Sequence, residues 1–528
     1  MIDNPPIVEL DYISAVKYNN AFMDVELTVE VLHVSTQTKW NIPAFWDGKN
    51  LWKVRIYTPY KGLYETVSVS SNPEDKGLHG IQKSFQVEEQ SLNHPLYIHG
   101  NLLTCKDKFI YEDGMPFFWF GDTWWMGFCD RLQEEEFELL LADRKIKGFN
   151  VIQLVAGLFP DMDSFDERGK NEGGFAWKED YITINPKFFQ YADRRVQKIV
   201  DAGIHPFIFG AWGYYLLKMS EKKMRLHWRY LIARWGAYPV IWSLAGEMSM
   251  PWYLSTQREQ EHRLLKEGWD NIARYIKKID PYQRLLSSHP VEYSYKEVKD
   301  SSLLDFEMLQ AGHSDKASVK KAIVMIDEAK KLFVDKPIVM DEIAYEGILG
   351  KNKDEIQRMA FWISFLRGIN GFTYGANGIW QVNQQAKPFG KSPSGDNWGE
   401  TSWQEAMNLA GGEEIAWSVA FLQKLPWNEF EIDQNFDHKL ATPFCMNYKD
   451  EMKLLYCIDK DFLYRLRRVR LKGLQKRKQY YIYHFDPVVN STKKIFTSKS
   501  NHKGEVKLLR KRFENDWILL VSLKELSL

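Results

Sequence analysis

The chain of 528 residues carries 70 lysines and arginines and 70 aspartates and glutamates, so its formal net charge is +0. This balance disfavours a protein that binds nucleic acid through its overall charge. A hydrophobic fraction of 45% and a charged fraction of 27% are typical of a globular protein and exclude a disordered or fibrous chain. Aromatic residues make up 15% of the chain, and 20 of them are tryptophans, an excess that composition alone does not explain.

The first residues and the cysteines predict the compartment. Met1-Ile-Asp-Asn-Pro-Pro shows no basic segment followed by an apolar run, so no signal peptide is predicted. No stretch of about 18 apolar residues predicts a membrane span. Cys105, Cys129, Cys445 and Cys457 lack the spacing of a zinc site, and reduced, mostly buried thiols are expected. We therefore expect a cytoplasmic protein without metal, cofactor or membrane partner.

Residues 1–100 are predicted to form an N-terminal Ig-like β-sandwich. Apolar and polar residues alternate over Val25–Val31 and Trp52–Tyr57, and Asp47-Gly48 is a turn signal between these segments. Such alternation is typical of strands that bury one face. Short strands separated by turns favour a sandwich.

From residue 101 to residue 427, short apolar runs alternate with helical patterns. The predicted strands are Phe117–Gly121, Val151–Val155, Pro206–Gly210, Val240–Leu244, Leu285–Ser288, Leu303–Met308, Ile338–Met340 and Gly371–Gly375. The predicted helices cover residues 132–147, 186–202, 221–236, 257–279, 317–333, 354–368 and 411–423. This rhythm predicts an α/β fold, a (β/α)8 TIM barrel. A doubly wound open sheet is disfavoured because no glycine-rich phosphate turn follows the first strand.

Residues 428–528 return to strand-like patterns, at Met452–Ile458, Gln479–Tyr483 and Trp517–Val521, and predict a C-terminal β-sandwich domain. Within this domain, the stretch Arg465–Lys478 contains eight basic residues and no acidic one. A charged edge protected against strand pairing is the favoured interpretation. A nucleic-acid site and contact with acidic sugars are the alternatives.

Two glutamates follow predicted barrel strands. Glu247 ends the fourth strand and Glu342 ends the seventh. Because the active sites of such barrels lie at the carboxyl ends of the strands, we expect these carboxylates to face each other. Glycoside hydrolysis needs such a pair, an acid for the leaving oxygen and a carboxylate that attacks or activates water. Asp341 and Glu346 compete with Glu342, and strand alternation allows only one of Asp341 and Glu342 to point into the mouth. The alternative is a rim ion pair for Glu247 and a helix cap for Glu342.

Aromatic and hydrogen-bonding side chains are expected around this pair. Sugars present flat C–H faces and rings of hydroxyls, so their sites combine aromatic platforms with amide, carboxylate and imidazole groups. The loop Asp161–Glu167 is predicted to be a substrate rim rather than a calcium site, because it lacks the EF-hand spacing. The candidate substrate-binding residues at or near strand ends are Asp122, Trp124, Trp125, Gln153, Trp212, His289, Gln310, His313, Tyr374, Asn377 and Trp380.

Five segments together resemble the apiosidase-like catalytic domain family, (β/α)8 glycoside hydrolases that often carry a β-sandwich before the barrel and a β-domain after it. The segments are Tyr111–Trp125, Ser288–Pro290, Leu309–His313, Asp341–Glu346 and Gly371–Gln381. The resemblance implies that Glu342 is the nucleophile and Glu247 the acid/base of a retaining enzyme. Two residues depart from the implied pattern: Gly246 stands where related enzymes have asparagine, and Glu247 where apiosidases have aspartate. These departures concern the sugar that is bound and not the reaction class.

The sequence therefore predicts a glycoside hydrolase, exo-acting on short pectic oligosaccharides, with an oligosaccharide and neither nucleic acid nor membrane as its partner. A catalytically inactive carbohydrate-binding protein on the same barrel is the alternative. A third hypothesis is a sugar-scaffold or assembly protein that acts through its two β-domains, but no feature of the chain favours it. The sequence leaves open the sugar, its linkage and whether the chain forms a homo-oligomer.

Overall fold

The computed structural model of the protein describes residues 6–88, 93–434, 442–465 and 469–528. The chain divides into two compact units. The first comprises Met1–Gln310, Asp335–Pro337 and Asn377–Met407; the second comprises Ala311–Val334, Ile338–Ala376 and Asn408–Leu528. Within the described ranges, no helix combines the length and the apolar character that a membrane crossing requires. The predicted domain boundaries after residues 100 and 427 stay predictions.

The N-terminal region consists of antiparallel sheets. Its elements are β1 (Ile7–Ile13), α1 (Ala21–Asp24), β2 (Leu27–His33), β3 (Thr38–Pro43), β4 (Phe45–Gly48), β5 (Leu51–Tyr57), β6 (Gly62–Ser70) and β7 (Gln82–Val87). The strand orders are β1-β5-β4 and β3-β2-β6-β7. Buried side chains from both sheets, including Val29 of β2 and Val54 of β5, belong to one apolar cluster. A third sheet contains β8 (Leu102–Cys105), β9 (Lys108–Tyr111) and β10 (Pro116–Phe117).

An eight-stranded parallel sheet follows. Its strands are β11 (Trp119–Thr123), β12 (Val151–Val155), β13 (His205–Phe209), β14 (Ile241–Ser243), β15 (Leu286–Ser287), β16 (Glu307–Gly312), β17 (Ile338–Ile343) and β18 (Gly371–Tyr374). The order β15-β14-β13-β12-β11-β18-β17-β16 makes the first strand the neighbour of the eighth. These strands are buried almost throughout, as in a parallel sheet that is covered on both faces. The predicted (β/α)8 barrel with flanking β-regions is confirmed.

Helices follow the barrel strands. They are α2 (Glu134–Ile146), α3 (Pro186–Asp201), α4 (Tyr215–Met219), α5 (Glu221–Trp235), α6 (Arg258–Ile279), α7 (Ser294–Glu297), α8 (Lys316–Leu332), α9 (Asp354–Leu366), α10 (Trp403–Met407) and α11 (Ala410–Gln423). Seven of them lie close to the predicted positions, and three short ones (α4, α7 and α10) were not predicted. Helix α3 shows how the sequence sets its ends. Asn185 accepts a hydrogen bond from the Lys187 amide, Pro186 occupies the first turn, and Gly203 adopts a left-handed φ of +80° after the last turn.

The sixth strand differs from the prediction. The apolar run Leu303–Met308 was expected to form it, but β16 spans Glu307–Gly312. Asp300 accepts a hydrogen bond from the Ser302 amide and starts a 3₁₀ turn over Ser301–Leu303, so Leu303 lies in a turn and not in the strand. The prediction of this strand was therefore wrong by four positions at each end.

The C-terminal region forms one larger and one smaller sheet. Its elements are β19 (Glu431–Ile432), β20 (Phe444–Tyr448), β21 (Met452–Cys457), α12 (Phe462–Arg465), β22 (Arg470–Leu471), β23 (Gln479–Asp486), β24 (Ser491–Lys499), β25 (Val506–Lys507) and β26 (Trp517–Ser522). The order of the larger sheet is β19-β20-β21-β26-β23-β24, and β22 pairs with β25. Arg467 and Arg468 of the basic stretch lie outside the described residues.

Candidate active site

Glu247 lies beyond the carboxyl end of β14 in the first unit. Its Oε2 atom accepts a hydrogen bond from Trp212 Nε1 at 3.3 Å, and its Oε1 atom accepts one from Gln310 Nε2 at 3.4 Å. The φ angle of Glu247 is 39°, a left-handed conformation that is uncommon for a residue with a side chain. Backbone strain of this kind persists only where the surrounding structure fixes the residue.

The packing of Trp212 explains why glycine precedes Glu247. Gly246 and Trp212 form a parallel bridge between neighbouring strand ends. A Cβ atom at position 246 would lie 2.2 Å from two carbon atoms of the Trp212 ring. The indole thus fills the space that an asparagine side chain would need. In this chain, the Trp212 N–H therefore lies beside the Glu247 carboxylate, whereas the family resemblance implies an asparagine amide at position 246.

Aromatic rings form a wall beside Glu247. Trp125, at the end of the first barrel strand, packs edge-on against Phe209, Trp212 and His289, with ring centroids 4.7, 5.6 and 5.4 Å apart. Trp125, Trp212 and His289 are all buried. The structure therefore brings together three of the predicted substrate-binding residues and adds Phe209, which the sequence reasoning missed although it is the last residue but one of a predicted barrel strand.

A second group of side chains links three loops of the first unit. Asp161, after β12, accepts a hydrogen bond from Trp398 Nε1 at 3.2 Å, and its backbone N–H donates to the Tyr253 hydroxyl at 3.1 Å. Burial raises the pKa of Asp161 to about 6. Burial also raises the pKa of Tyr253 well above its ordinary value, and the nearby Asp161 and Glu247 carboxylates add to this rise.

The contacts of Asp161 bear on the loop that was predicted to form a rim. Its side chain is engaged by an indole, and Asp166 pairs with Arg168 at 2.7 Å. Among the described residues, no three His, Cys, Asp or Glu side chains are grouped as a metal site. Tyr253 and Trp398 were missed by sequence reasoning; both are aromatic residues in segments that follow barrel strands, which is the signal that could have found them.

Asp122 and Trp124 lie against a helix of the barrel. The Asp122 carboxylate is fully buried and accepts hydrogen bonds from Trp124 Nε1 at 2.7 Å and from Arg144 Nε at 2.6 Å. Trp124 packs edge-on against Phe137, and both Phe137 and Arg144 belong to α2. These contacts give Asp122 and Trp124 a structural role, and their predicted contact with substrate stays a prediction.

Three other predicted residues of the first unit are buried. Gln153 Oε1 lies 3.5 Å from Thr123 Oγ1, and Trp380 packs edge-on against Phe389 at 5.7 Å. Asn377 is fully buried, and neither atom of its amide has a hydrogen-bond partner within the part of the chain that the structure describes. An unsatisfied buried amide is costly, so Asn377 is suited to hydrogen-bond a ligand.

Glu342 lies near the end of β17 in the second unit, where the side chains of Tyr345 and His313 contact its carboxylate. The Tyr345 hydroxyl donates to Oε2, and His313 Nε2 lies 2.9 Å from Oε1. The Tyr345 backbone N–H donates to His313 Nδ1 at 3.1 Å, so Nε2 carries the proton that is shared with Glu342. A Cβ atom at Gly375 would lie 2.1 Å from the Tyr345 ring, which shows how closely this ring is packed. Tyr345 was not among the predicted residues, although it lies three positions after Glu342.

The carboxylates that competed with Glu342 have other partners. Glu346 accepts hydrogen bonds from the Tyr374 hydroxyl at 2.5 Å and from the Gly411 amide at 3.2 Å. Asp341 is fully buried and lies 3.3 Å from Thr373 Oγ1. Tyr374, which was predicted to contact substrate, thus holds Glu346 in this structure, and its contact with substrate stays a prediction.

Comparison with known proteins gives results at the level of family and fold. The model of the family described as apiosidase-like, catalytic domain, matches residues 105–429. A glycoside hydrolase family 5 structure from Bacteroides vulgatus ATCC 8482 is 20% identical, covering 81% of this chain and 94% of its own, with a TM-score of 0.66. A second structure from that strain is 17% identical over 98% of both chains, with a TM-score of 0.71. These two likenesses show the fold. No curated protein matches the sequence.

Proposed function

Because the chain belongs to the apiosidase-like catalytic domain family and is a glycoside hydrolase, we propose that it is a retaining enzyme with Glu342 as nucleophile and Glu247 as acid/base. The observation that carries this proposal is the hydrogen bonding of Glu342. Tyr345 and His313 both donate to its carboxylate. Donors of this kind favour the ionised form and fix its direction, as attack on a sugar carbon requires.

The surroundings of Glu247 suit a group that gives and then takes a proton. The uncharged side chains of Trp212 and Gln310 donate hydrogen bonds to it, and the Trp212 ring lies beside it. An aromatic wall favours the protonated carboxyl that acid catalysis needs at neutral pH. Tyr253, whose pKa is raised partly by the Glu247 charge, adds a further aromatic group in its vicinity.

We propose that the two glutamates act on the same glycosidic bond. Both follow strands of one parallel sheet, the fourth and the seventh, and the carboxyl ends of barrel strands carry the chemistry in enzymes of this fold. Glu247 gives its proton to the leaving oxygen as Glu342 attacks the anomeric carbon and forms the glycosyl-enzyme ester. Glu247 then takes a proton from the incoming water, which releases the sugar and restores the Glu342 carboxylate.

We further propose that the enzyme removes sugars from the ends of short pectic oligosaccharides. The hydrogen bonds of Asp161 join loops that follow β12, β14 and β18, and a joined rim suits a pocket for a chain end better than an open groove. The buried amide of Asn377 supplies a donor and an acceptor for a sugar hydroxyl. Trp125 and Trp212 supply apolar ring surface for the C–H face of a sugar.

The test is a screen of chromogenic glycosides, followed by pectic oligosaccharides, with the wild-type enzyme and two variants. We expect Glu342→Ala and Glu247→Ala to lose about 100-fold or more in turnover while unfolding like the wild type. Glu259→Ala, a change of an exposed glutamate on α6, is the matched control and should keep full activity. More than a few per cent of wild-type activity in either active-site variant would contradict the assignment.

A further inference from the structure

The small sheet β22–β25 in the second unit has one apolar and one basic side. Leu471 and Val506 belong to the buried cluster of the C-terminal region. Because neighbouring residues along a strand point to opposite sides, Arg470 and Lys507 point away from this cluster. Arg470 and Lys507 also pair directly across the two strands. Like charges at such a position destabilise a sheet, so folding alone does not explain them.

Further cations lie beside this sheet because two chain segments run alongside each other. The Leu474 amide donates to the Gly504 carbonyl at 3.1 Å, and the Ser500 amide donates to the Lys478 carbonyl at 2.8 Å. The exposed cations of the sheet and of these segments form a surface that we call the basic face. It consists of Arg470, Lys472, Lys476, Arg477, Lys478, Lys499, Lys503 and Lys507.

Few carboxylates balance the basic face. No acidic residue occurs from Arg465 to Lys478, and Glu505 is the one acidic residue from Ser491 to Phe513. Glu505 lies 3.6 Å from Arg470. The pKa of Glu505 is lowered by a hydrogen bond from Asn501 and by the charges of Arg470, Lys503 and Lys472. This single carboxylate therefore lies near enough to interact with three cations. The other five cations of the face form no ion pair with any residue that the structure describes.

Protection of a sheet edge accounts for only part of the basic face. One of the two edge strands of the larger sheet is β24, which carries the exposed lysines Lys493 and Lys494. Those lysines suffice to discourage pairing with another chain. Of the described residues of the stretch Arg465–Lys478, only Arg470 and Leu471 lie in a strand. Edge protection can therefore account for Arg470, Lys499 and Lys507, which lie in edge strands, but not for the five cations of the basic face that lie outside strands.

We propose that the basic face binds an acidic saccharide chain, one whose sugars carry carboxylates. Guanidinium and ammonium groups are the natural donors to carboxylates, and the chain is a glycoside hydrolase. The nearby Tyr464 ring is covered by the guanidinium groups of Arg510 and Arg512, each 4.0 Å from its centroid. Guanidinium groups thus already stack on this ring, which disfavours its use as a stacking platform for a single-stranded nucleic acid. The choice of an acidic saccharide as the ligand rests on the proposed function, the action on pectic oligosaccharides. The inference that the surface binds anions does not depend on that function.

Such a site would hold the enzyme on acidic chains and raise the local concentration of the glycosidic bonds that it cleaves. The test measures binding of the full-length protein to polygalacturonate by affinity electrophoresis and calorimetry. Fully methyl-esterified polygalacturonate has the same backbone without the charges and serves as the control polymer. The variant carries the changes Lys472→Gln, Lys476→Gln, Arg477→Gln and Lys503→Gln. The matched control loses the same charge elsewhere through Lys145→Gln, Lys178→Gln, Lys187→Gln and Lys320→Gln, all at exposed positions.

We expect the wild type to bind polygalacturonate, more weakly as salt is raised, and not to bind the esterified polymer. The basic-face variant should lose at least about tenfold in affinity, while the control variant stays within about twofold of the wild type. Thermal unfolding of both variants, which should match that of the wild type, checks that the fold is intact.

No binding of polygalacturonate at low salt, or an equal loss in both variants, would overturn the proposal. Tighter binding of single-stranded RNA or of phosphatidylserine vesicles than of polygalacturonate would also overturn it and would reassign the face. The binding assay needs no turnover. Intact binding by a protein without glycosidase activity would therefore leave this inference standing and refute the proposed function alone.

Discussion

The change Gly246→Ala places a methyl group where Trp212 packs against the chain before Glu247. The new Cβ would lie 2.2 Å from two ring carbons of Trp212. Carbon atoms in optimal contact are about 3.5 Å apart, so the indole must retreat by about 1.3 Å or the backbone must shift. Overpacking of this kind costs about 1–3 kcal/mol of stability. Retreat of the ring also removes the hydrogen bond from Trp212 Nε1 to Glu247, which is already 3.3 Å long. Loss of a hydrogen bond worth about 1.4 kcal/mol in the transition state lowers kcat/KM about tenfold.

The assay for this prediction is equilibrium unfolding together with steady-state kinetics. Gly246→Ala should unfold more easily than the wild type and lose activity. Gly246→Asn should be worse still, although related enzymes carry asparagine there. In a Trp212→Leu background, which removes the ring that the methyl group would meet, Gly246→Ala should cost much less stability. Wild-type stability of Gly246→Ala, or the same penalty with and without Trp212, would refute the packing argument.

Three further predictions concern Tyr345, Asp161 and Arg144. Tyr345→Phe removes a hydroxyl that donates to Glu342 and keeps the ring. We expect kcat to fall about 10- to 100-fold while the unfolding transition stays unchanged. A wild-type kcat would contradict the role of this hydroxyl. Because burial raises the pKa of Asp161 to about 6, the native state keeps a proton that the unfolded chain releases near pH 4, and stability is lost as the pH rises between these values. Asp161→Asn should abolish this loss of about 2–3 kcal/mol in denaturant titrations over a pH series, and an unchanged pH dependence would count against it. Arg144→Met leaves the buried Asp122 carboxylate without its cation and should destabilise the protein by about 3–5 kcal/mol. The loss of stability should be smaller when Asp122→Asn is added. An equal loss in the single and the double variant would refute the pairing.

The barrel could be predicted because its signals are local. Each apolar run is short, a helical pattern follows most of them, and Asn185-Pro186 starts α3 as its side chains require. The sixth strand was misplaced because Leu303 and Leu304 resemble the start of a buried strand. Their place in a turn depends on the hydrogen bond of Asp300, which apolar periodicity does not report.

The site could be predicted only in part. Glu247 and Glu342 could be proposed as the catalytic pair because they follow buried strands. The partners of Asp161, by contrast, depend on loop conformations, including the left-handed φ of 56° at Asp161 itself. Asp122 was grouped with the sugar-binding residues by its place at a strand end. Its carboxylate instead meets Arg144 of α2, a pairing that requires knowledge of which strand face lies against the helix. Gly246 could be noted as a departure, but its reason, the Trp212 ring, is visible only in three dimensions.

The central claim is that Glu342 is the nucleophile and Glu247 the acid/base of a retaining glycosidase. The most direct test is the stereochemistry of the product that Glu342→Ala forms with azide and an activated aryl glycoside. Azide should restore turnover by entering the space left by the carboxylate, and the glycosyl azide should have the anomeric configuration opposite to that of the substrate. A rescued Glu247→Ala should instead give the azide of retained configuration. Failure of azide to rescue Glu342→Ala, or a product of retained configuration from that variant, would contradict the assignment.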